Sequence, residues 1–211
     1  MSTSTIAFVS RLEPEDGTRA DLYALFARLF FSAPDAQLLH LINAAPPLAA
    51  EADSARLARA WARLCAAAGA MDVDAAEEEY DALFGGVAQS LISLYGSYYA
   101  AALAPGLAGQ FLVDLRAALA GLGLGLRRGR NLPEDHLSAV LETMRLLIAG
   151  DAENAPRDVA AQREFFSRFI APWHAQCCSA IAAAPIANFY RTVAECTDAF
   201  LAIEDESLAI A

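Results

Sequence analysis

Apolar residues recur every three or four positions along most of the chain, which is the period of an α-helix with one buried face. No stretch alternates convincingly between apolar and polar residues, as a half-buried strand would. The helical period predicts helices over the segments 18–32, 36–44, 51–68, 75–84, 107–122, 133–149, 157–170 and 186–203. With the shorter segments between them, the sequence predicts an all-α protein of roughly nine to twelve helices.

Capping and helix-breaking residues mark the expected helix ends. Asp35 is placed to cap the second helix, and Asp74 with Glu77 has the spacing of a capping box. Gly69 and Gly150 are expected to end the helices that precede them.

The same pattern predicts the domain organisation. We expect residues 1–17 to be a flexible N-terminal arm, 18–204 a single all-helical domain and 205–211 a C-terminal tail. The arm has no positively charged start followed by an apolar core, so a secretion signal is not expected there.

The segment 83–113 contains no charged side chain, although the chain has 26 acidic and 15 basic residues. Its Ser, Gln, Gly and Pro residues and its acidic neighbours Asp81 and Asp114 argue against a membrane helix. A buried central helix is the leading interpretation. The Tyr- and Ser-rich part "SLYGSYY" also suits a binding surface, because tyrosine is large, rigid and amphipathic.

The charge composition excludes several functions. The net charge of −11 disfavours nucleic acid as a partner and suits a basic peptide. All 15 basic residues are Arg, so a Walker A phosphate loop, a pyridoxal Schiff base and a Ser-Lys dyad are excluded. The loop "GLGLGLRRGRN" lacks the glycine spacing of a dinucleotide site.

Cysteine and histidine positions give no metal-site pattern. The four Cys form no C-x-x-C pair, and the three His do not join them at zinc-finger spacing. We therefore expect no metal and no cofactor, and reduced thiols typical of a cytoplasmic protein.

Four stretches, taken in order, resemble one family. They are "FFSAPD" (30–35), "EEYDALFGG…SLYGSYY" (78–99), "LPEDHLSAVLETMRLLI" (132–148) and "FFSRFIAPWHAQCC…FYRTVAECTDAFLAIE" (165–204). Together they are similar to the TorD/DmsD/NarJ family of cytoplasmic chaperones for molybdenum enzymes. Two positions depart from the family pattern, since Leu132 replaces an acid and Leu94-Tyr95 replaces Pro-Trp. The "YGSYY" form is closer to members associated with formate dehydrogenases.

The resemblance implies a TorD-like helical chaperone that is not an enzyme. Such a protein binds the precursor of a molybdopterin oxidoreductase, often through its twin-arginine signal peptide, before export. The client, not the chaperone, would carry molybdopterin guanine dinucleotide. The resemblance also implies a cytoplasmic monomer, with a domain-swapped dimer as the alternative, and at most transient contact with a membrane or translocase.

The resemblance further implies a peptide-binding surface. Its expected members are Phe31, Tyr80, Leu83, Phe84, Tyr95, Gly96, Ser97, Tyr99, Pro133, Glu134, Asp135 and His136. A carboxylate such as that of Asp135 suits a guanidinium, and the aromatic and aliphatic groups suit an apolar run.

Simpler interpretations stay open for these residues. Pro133 is placed for the first turn of its helix, where Glu134 and Asp135 would stabilise the helix N-terminus. His136 suits a capping or surface role, and the residues of 80–84 have the spacing of core positions.

Two other functions are considered. An assembly scaffold, as in NarJ-like members, would bind a folded or partly folded subunit rather than a signal peptide. A hydrolase would use Asp135 and His136 with Ser138, but neighbouring helical residues point about 100° apart, so we expect no catalytic residues.

Overall fold

The computed structural model describes residues 13–49, 54–85, 90–124 and 133–210. These ranges form ten α-helices and no strand, which confirms the prediction of a single all-helical domain. In chain order the helices are α1 Pro14–Phe31, α2 Ala36–Asn43, α3 Ala55–Ala70, α4 Val73–Phe84, α5 Gly96–Leu103, α6 Leu107–Gly121, α7 Leu137–Ala149, α8 Val159–Phe169, α9 His174–Ala183 and α10 Phe189–Ile210.

Both ends of the described chain are more helical than the sequence pattern indicated. Helix α1 begins at Pro14, where the predicted arm should still continue, because proline and the acidic Glu15 suit a first helical turn. Helix α10 continues to Ile210 through the predicted tail, since Leu208 is buried against the core. The rest of the predicted arm, residues 1–12, lies outside the described residues.

The helix caps agree only in part with the expectations. Asp35 caps α2 as predicted, with its carboxylate accepting the N–H of Leu38 at 2.8 Å, and Gly150 ends α7. The predicted capping box is wrong, because Asp72 caps α4 instead of Asp74. Helix α3 continues through Gly69, which was expected to end it.

The core lies where α1 packs along α7 and α10 packs against α3 and α9. A buried polar network ties three helices together at its edge. Arg19 of α1 donates to the Glu204 carboxylate of α10 at 2.8 and 2.9 Å and to Gln162 of α8 at 3.2 Å, while the Tyr23 hydroxyl donates to the same carboxylate at 3.0 Å. Because each buried polar group has a partner, the network holds these helices without an uncompensated charge.

Candidate functional site

The described part of the charge-free segment, residues 83–85 and 90–113, lies largely at the surface. Of α5 only Gly96 and Tyr99 are buried, so the expectation of a buried central helix is wrong. The segment contributes six of the eleven large hydrophobic side chains exposed in the described ranges, namely Leu91, Tyr95, Tyr98, Leu103, Leu107 and Val113. Helical spacing alone did not reveal this exposure, because a stripe that faces solvent and one that faces the core have the same period.

The lengths and composition of the described helices can be compared with those of a membrane span. Within the described ranges, none combines the length and the apolar character that a bilayer crossing requires.

A cleft of about 230 Å³ lies between α5 and α6, and we call it the α5–α6 cleft. Its lining is mostly apolar and comprises Gly96, Tyr99, Ala100, Leu103, Leu107, Gln110, Phe111, Asp114, Pro172 and Trp173. Of these, only Gly96 and Tyr99 belonged to the predicted site. Nothing in the spacing of Phe111 and Trp173 distinguishes a ring in the core from a ring that lines a cleft.

The aromatic floor of the α5–α6 cleft is held rigidly. The rings of Tyr99 and Trp173 stack with centroids 5.4 Å apart. The Tyr99 hydroxyl donates to the Ser93 carbonyl at 2.9 Å, and the Trp173 indole N–H donates to the Phe169 carbonyl at 2.7 Å. Burial raises the pKa of Tyr99, so the hydroxyl stays protonated and the cleft is preformed and uncharged at its base.

The first turn of α5 is joined to the segment before α7, and we call this contact the α5–α7 joint. The Gly96 N–H donates to the Asp135 carbonyl at 2.9 Å, and the Leu137 N–H donates to the Leu94 carbonyl at 2.8 Å. The Asp135 carboxylate accepts both the backbone N–H of Ser97, at 3.1 Å, and its hydroxyl, at 2.6 Å. Asp135 therefore caps α5 through Ser97, although Asp135 and Ser97 are far apart in sequence.

His136 completes the α5–α7 joint. Its Nδ1 accepts the Ser138 N–H at 3.2 Å and so caps α7, while its ring lies edge-to-face against Tyr95 with centroids 5.1 Å apart. Burial lowers the pKa of His136 to about 4, against the opposing effect of the Asp135 charge. The imidazole is therefore neutral at pH 7, as an acceptor nitrogen requires.

These contacts give the Asp-His pair a structural role. Asp135 is 2% exposed and His136 is 5% exposed, and both already have partners. A guest peptide cannot contact them without disrupting two helix caps, so their role in this structure is to position α5 and α7. Helix α7 begins only at Leu137, so the expectation that Pro133 occupies its first turn is wrong.

Glu134 faces another helix. Its carboxylate pairs with Arg116 of α6 at 3.3 Å. Hydrogen bonding from the backbone, together with Arg116, lowers the pKa of Glu134. Pro133 beside it is exposed, so these two residues stay at the surface near α6.

Of the α4 residues that were expected to contact a peptide, one lies in the core and two are partly buried. Leu83 is fully buried and packs in the core. The Tyr80 hydroxyl donates to the carbonyls of Phe30 and Phe31 at 3.2 and 3.0 Å, and its ring contacts Phe84 with centroids 5.2 Å apart. Tyr80 and Phe84 are both partly buried and Phe31 is 45% exposed, so Phe31 is the most accessible of these residues.

A second cleft, of about 310 Å³, opens beside Tyr80, and we call it the acidic cleft. It is lined by Ser32, Ala33, Pro34, Asp35, Val73, Glu77, Tyr80 and Asp81. Arg28 approaches Asp35 at 3.8 Å, which leaves Glu77 and Asp81 without an ion pair among the described residues. The sequence signal for this cleft was the acidic run before Tyr80, which the predicted site did not include.

The buried cysteine thiols stay protonated and are therefore weak nucleophiles. Cys177, Cys178 and Cys196 are buried, and burial raises the pKa of Cys177 and of Cys196 to about 12. In the described part of the chain, no three His, Cys, Asp or Glu side chains are grouped so as to hold a metal ion.

The helical structure thus has an apolar cleft between α5 and α6 and an acidic cleft beside Tyr80. Residues 50–179 match the family model for the nitrate reductase delta subunit. This match covers more than half of the chain, which therefore belongs to that family of molybdoenzyme assembly chaperones, a family of maturation factors and not of enzymes. A comparison with curated proteins finds no match.

Gly96 provides a test of the packing that forms the α5–α6 cleft. A Cβ at this position would lie 2.7 Å from Phe111 Cζ and 3.0 Å from Trp173 Nε1. We expect Gly96→Ala to lower the free energy of unfolding by about 1–3 kcal/mol, because the rings must move. Chemical denaturation measures this. Gly109→Ala on α6 is the control; with no neighbour within 4 Å, it should be neutral or stabilising by up to about 1 kcal/mol. Equal effects would contradict the account.

The buried His136 predicts a pH dependence of stability. As the pH decreases from 7 to 5, the imidazole becomes protonated in the unfolded chain but not in the folded one. The free energy of unfolding therefore decreases as the pH decreases. We expect a loss of about 2 kcal/mol by pH 5 that is absent in His136→Asn, whose side chain can still cap α7. Denaturation curves at the two pH values measure it. His174, whose pKa burial also lowers, contributes equally to both proteins. Identical pH slopes would show that His136 is not held neutral.

Proposed function

We propose that this protein is a cytoplasmic maturation chaperone that binds the twin-arginine signal peptide of a molybdopterin oxidoreductase precursor. The apolar run of the signal peptide would lie in the α5–α6 cleft. The observation that carries the proposal is the concentration of exposed apolar side chains around a preformed cleft, in a member of a molybdoenzyme chaperone family.

Covering the exposed apolar residues around the α5–α6 cleft with a bound guest is more favourable than leaving them in contact with water. Leu103 is 76% exposed and Leu107 is 43% exposed, on opposite walls of one cleft. Covering apolar surface contributes about 25 cal/mol per Å², so burying these side chains under a guest is favourable. Contiguous exposed apolar surface of this kind is typical of interaction sites.

The chemistry of a twin-arginine signal peptide complements this protein. Such a peptide presents two arginines followed by an apolar run, and the chain carries a net charge of −11. An acidic surface increases the rate at which a basic peptide is encountered. Binding the signal peptide in the cytoplasm would keep the precursor from export while its cofactor is inserted. We further propose a formate dehydrogenase as the client, from the form of the "YGSYY" segment.

A second candidate follows from the matched family, whose description refers to a nitrate reductase subunit. In this reading the α5–α6 cleft binds a folded or partly folded catalytic subunit, without need of a signal peptide. The exposed Tyr98 and Val113, which lie outside the cleft lining, would then widen the contact.

Isothermal titration with the signal peptides of the molybdenum oxidoreductases from the same genome tests the first proposal. We expect one of them to bind at 1:1, and Leu103→Ser with Leu107→Ser to weaken it about tenfold, since apolar contact is lost. Leu41→Ser on α2 is the matched control; Leu41 is 58% exposed but lines neither cleft, so binding should be unchanged.

The two candidates differ in one result. Removing the signal peptide from the precursor abolishes binding in the first case and leaves it intact in the second. If no signal peptide binds but the shortened precursor does, the subunit-binding function replaces the first proposal.

A further inference from the structure

We propose that the signal peptide binds in one direction, with its arginine pair in the acidic cleft and its apolar run in the α5–α6 cleft. This inference rests on the proposed function and assigns the two clefts to the two halves of one guest. In this inference the exposed carboxylates of Glu77 and Asp81 bind the arginines, in place of the buried Asp135.

The apolar half of the guest is assigned by the lining of the α5–α6 cleft. Its two walls are the facing sides of α5 and α6, and its floor is the ring stack of Tyr99 and Trp173. Asp114 and Gln110 contribute its polar groups, and they hydrogen-bond to each other at 2.8 Å. An arginine placed here would lose its hydration and find one already engaged carboxylate, whereas an aliphatic chain loses nothing.

The charged half of the guest is assigned by complementarity in the acidic cleft. Three carboxylates line it, from Asp35, Glu77 and Asp81, and the nearby Arg28 offsets only one charge. Glu77 and Asp81 are exposed, so their carboxylates remain free to turn towards a guanidinium. Charge-assisted hydrogen bonds between arginine and carboxylate are among the stronger polar contacts.

Tyr95 lies in the sequence between α4, which lines the acidic cleft, and α5, which lines the α5–α6 cleft. The segment that leads to it is attached to the end of α4, since the Ile92 N–H donates to the Leu83 carbonyl at 3.0 Å. Tyr95 is 37% exposed and directly precedes Gly96, the first residue of the α5–α6 cleft. Burial raises the pKa of Tyr80 to about 12, with smaller contributions from Asp81 and from Tyr95, which indicates that the two tyrosines lie near each other.

The length of α5 fits a short apolar run. Its eight residues extend about 12 Å, a distance that an extended peptide covers with about four residues. A guest that enters the α5–α6 cleft at Gly96 would therefore reach Leu103 within about four extended residues. On this path the arginine pair would occupy the acidic cleft and the apolar residues that follow it would occupy the α5–α6 cleft.

A double-mutant cycle between protein and peptide tests this direction. The probes are the signal peptide that binds the unmodified chain and its variant with both arginines replaced by glutamine. We expect Glu77→Gln with Asp81→Asn to weaken the arginine peptide about fivefold to tenfold and to leave the glutamine peptide unchanged. Leu103→Ser should weaken both peptides by the same factor, because its contact is with the apolar run.

A matched control removes the same number of charges elsewhere. Glu153→Gln with Glu206→Gln changes two exposed acids that line neither cleft, and binding should stay within twofold of the unmodified chain. An equal loss in this control would show a general effect of net charge. If the Glu77→Gln, Asp81→Asn variant lost affinity for the arginine peptide and the glutamine peptide by the same factor, the substitutions would have changed the structure rather than removed a contact with arginine. Either result overturns the assignment.

The outcomes also distinguish failure of this inference from failure of the proposed function on which it rests. If no signal peptide binds the unmodified chain, the proposed function fails and the inference falls with it. If a signal peptide binds and the acidic-cleft variant retains full affinity for the arginine form, only the direction is wrong.

Discussion

The α5–α7 joint is the contact on which the candidate site depends. Asp135 caps α5 through Ser97, and His136 caps α7 while its ring supports Tyr95. These contacts determine where α5 starts, and Gly96 then lets Phe111 and Trp173 close on the helix. Without the joint, α5 would have no side-chain cap and the α5–α6 cleft would lose one wall.

This arrangement gives different tasks to buried and exposed groups. The polar residues of the joint are buried and satisfied, so they provide rigidity and no binding charge. The apolar residues that a core would normally contain are instead exposed on α5 and α6. A preformed cleft limits the ordering cost of binding a partner.

The sequence predicted the helical class, the single domain and the family, because helical period and motif order extend over most of the chain. It also identified both halves of the joint, "YGS" and "EDH", as important. It did not predict that Asp135 and Leu83 are buried, since a motif does not state whether a side chain faces a guest or a neighbouring helix. It missed the roles of Leu103 and Trp173, because cleft membership depends on how α5, α6 and the turn before α9 meet in space.

The central claim is that a guest covers the α5–α6 cleft, and hydrogen–deuterium exchange of the full chain with and without the precursor tests it most directly. The account predicts slower exchange of backbone amides in 96–114 when the precursor is bound, because a guest there excludes water and restrains both helices. Helices α2 and α3 should exchange at unchanged rates. Protection confined to α2 and α3, or binding that leaves 96–114 unchanged, would contradict it.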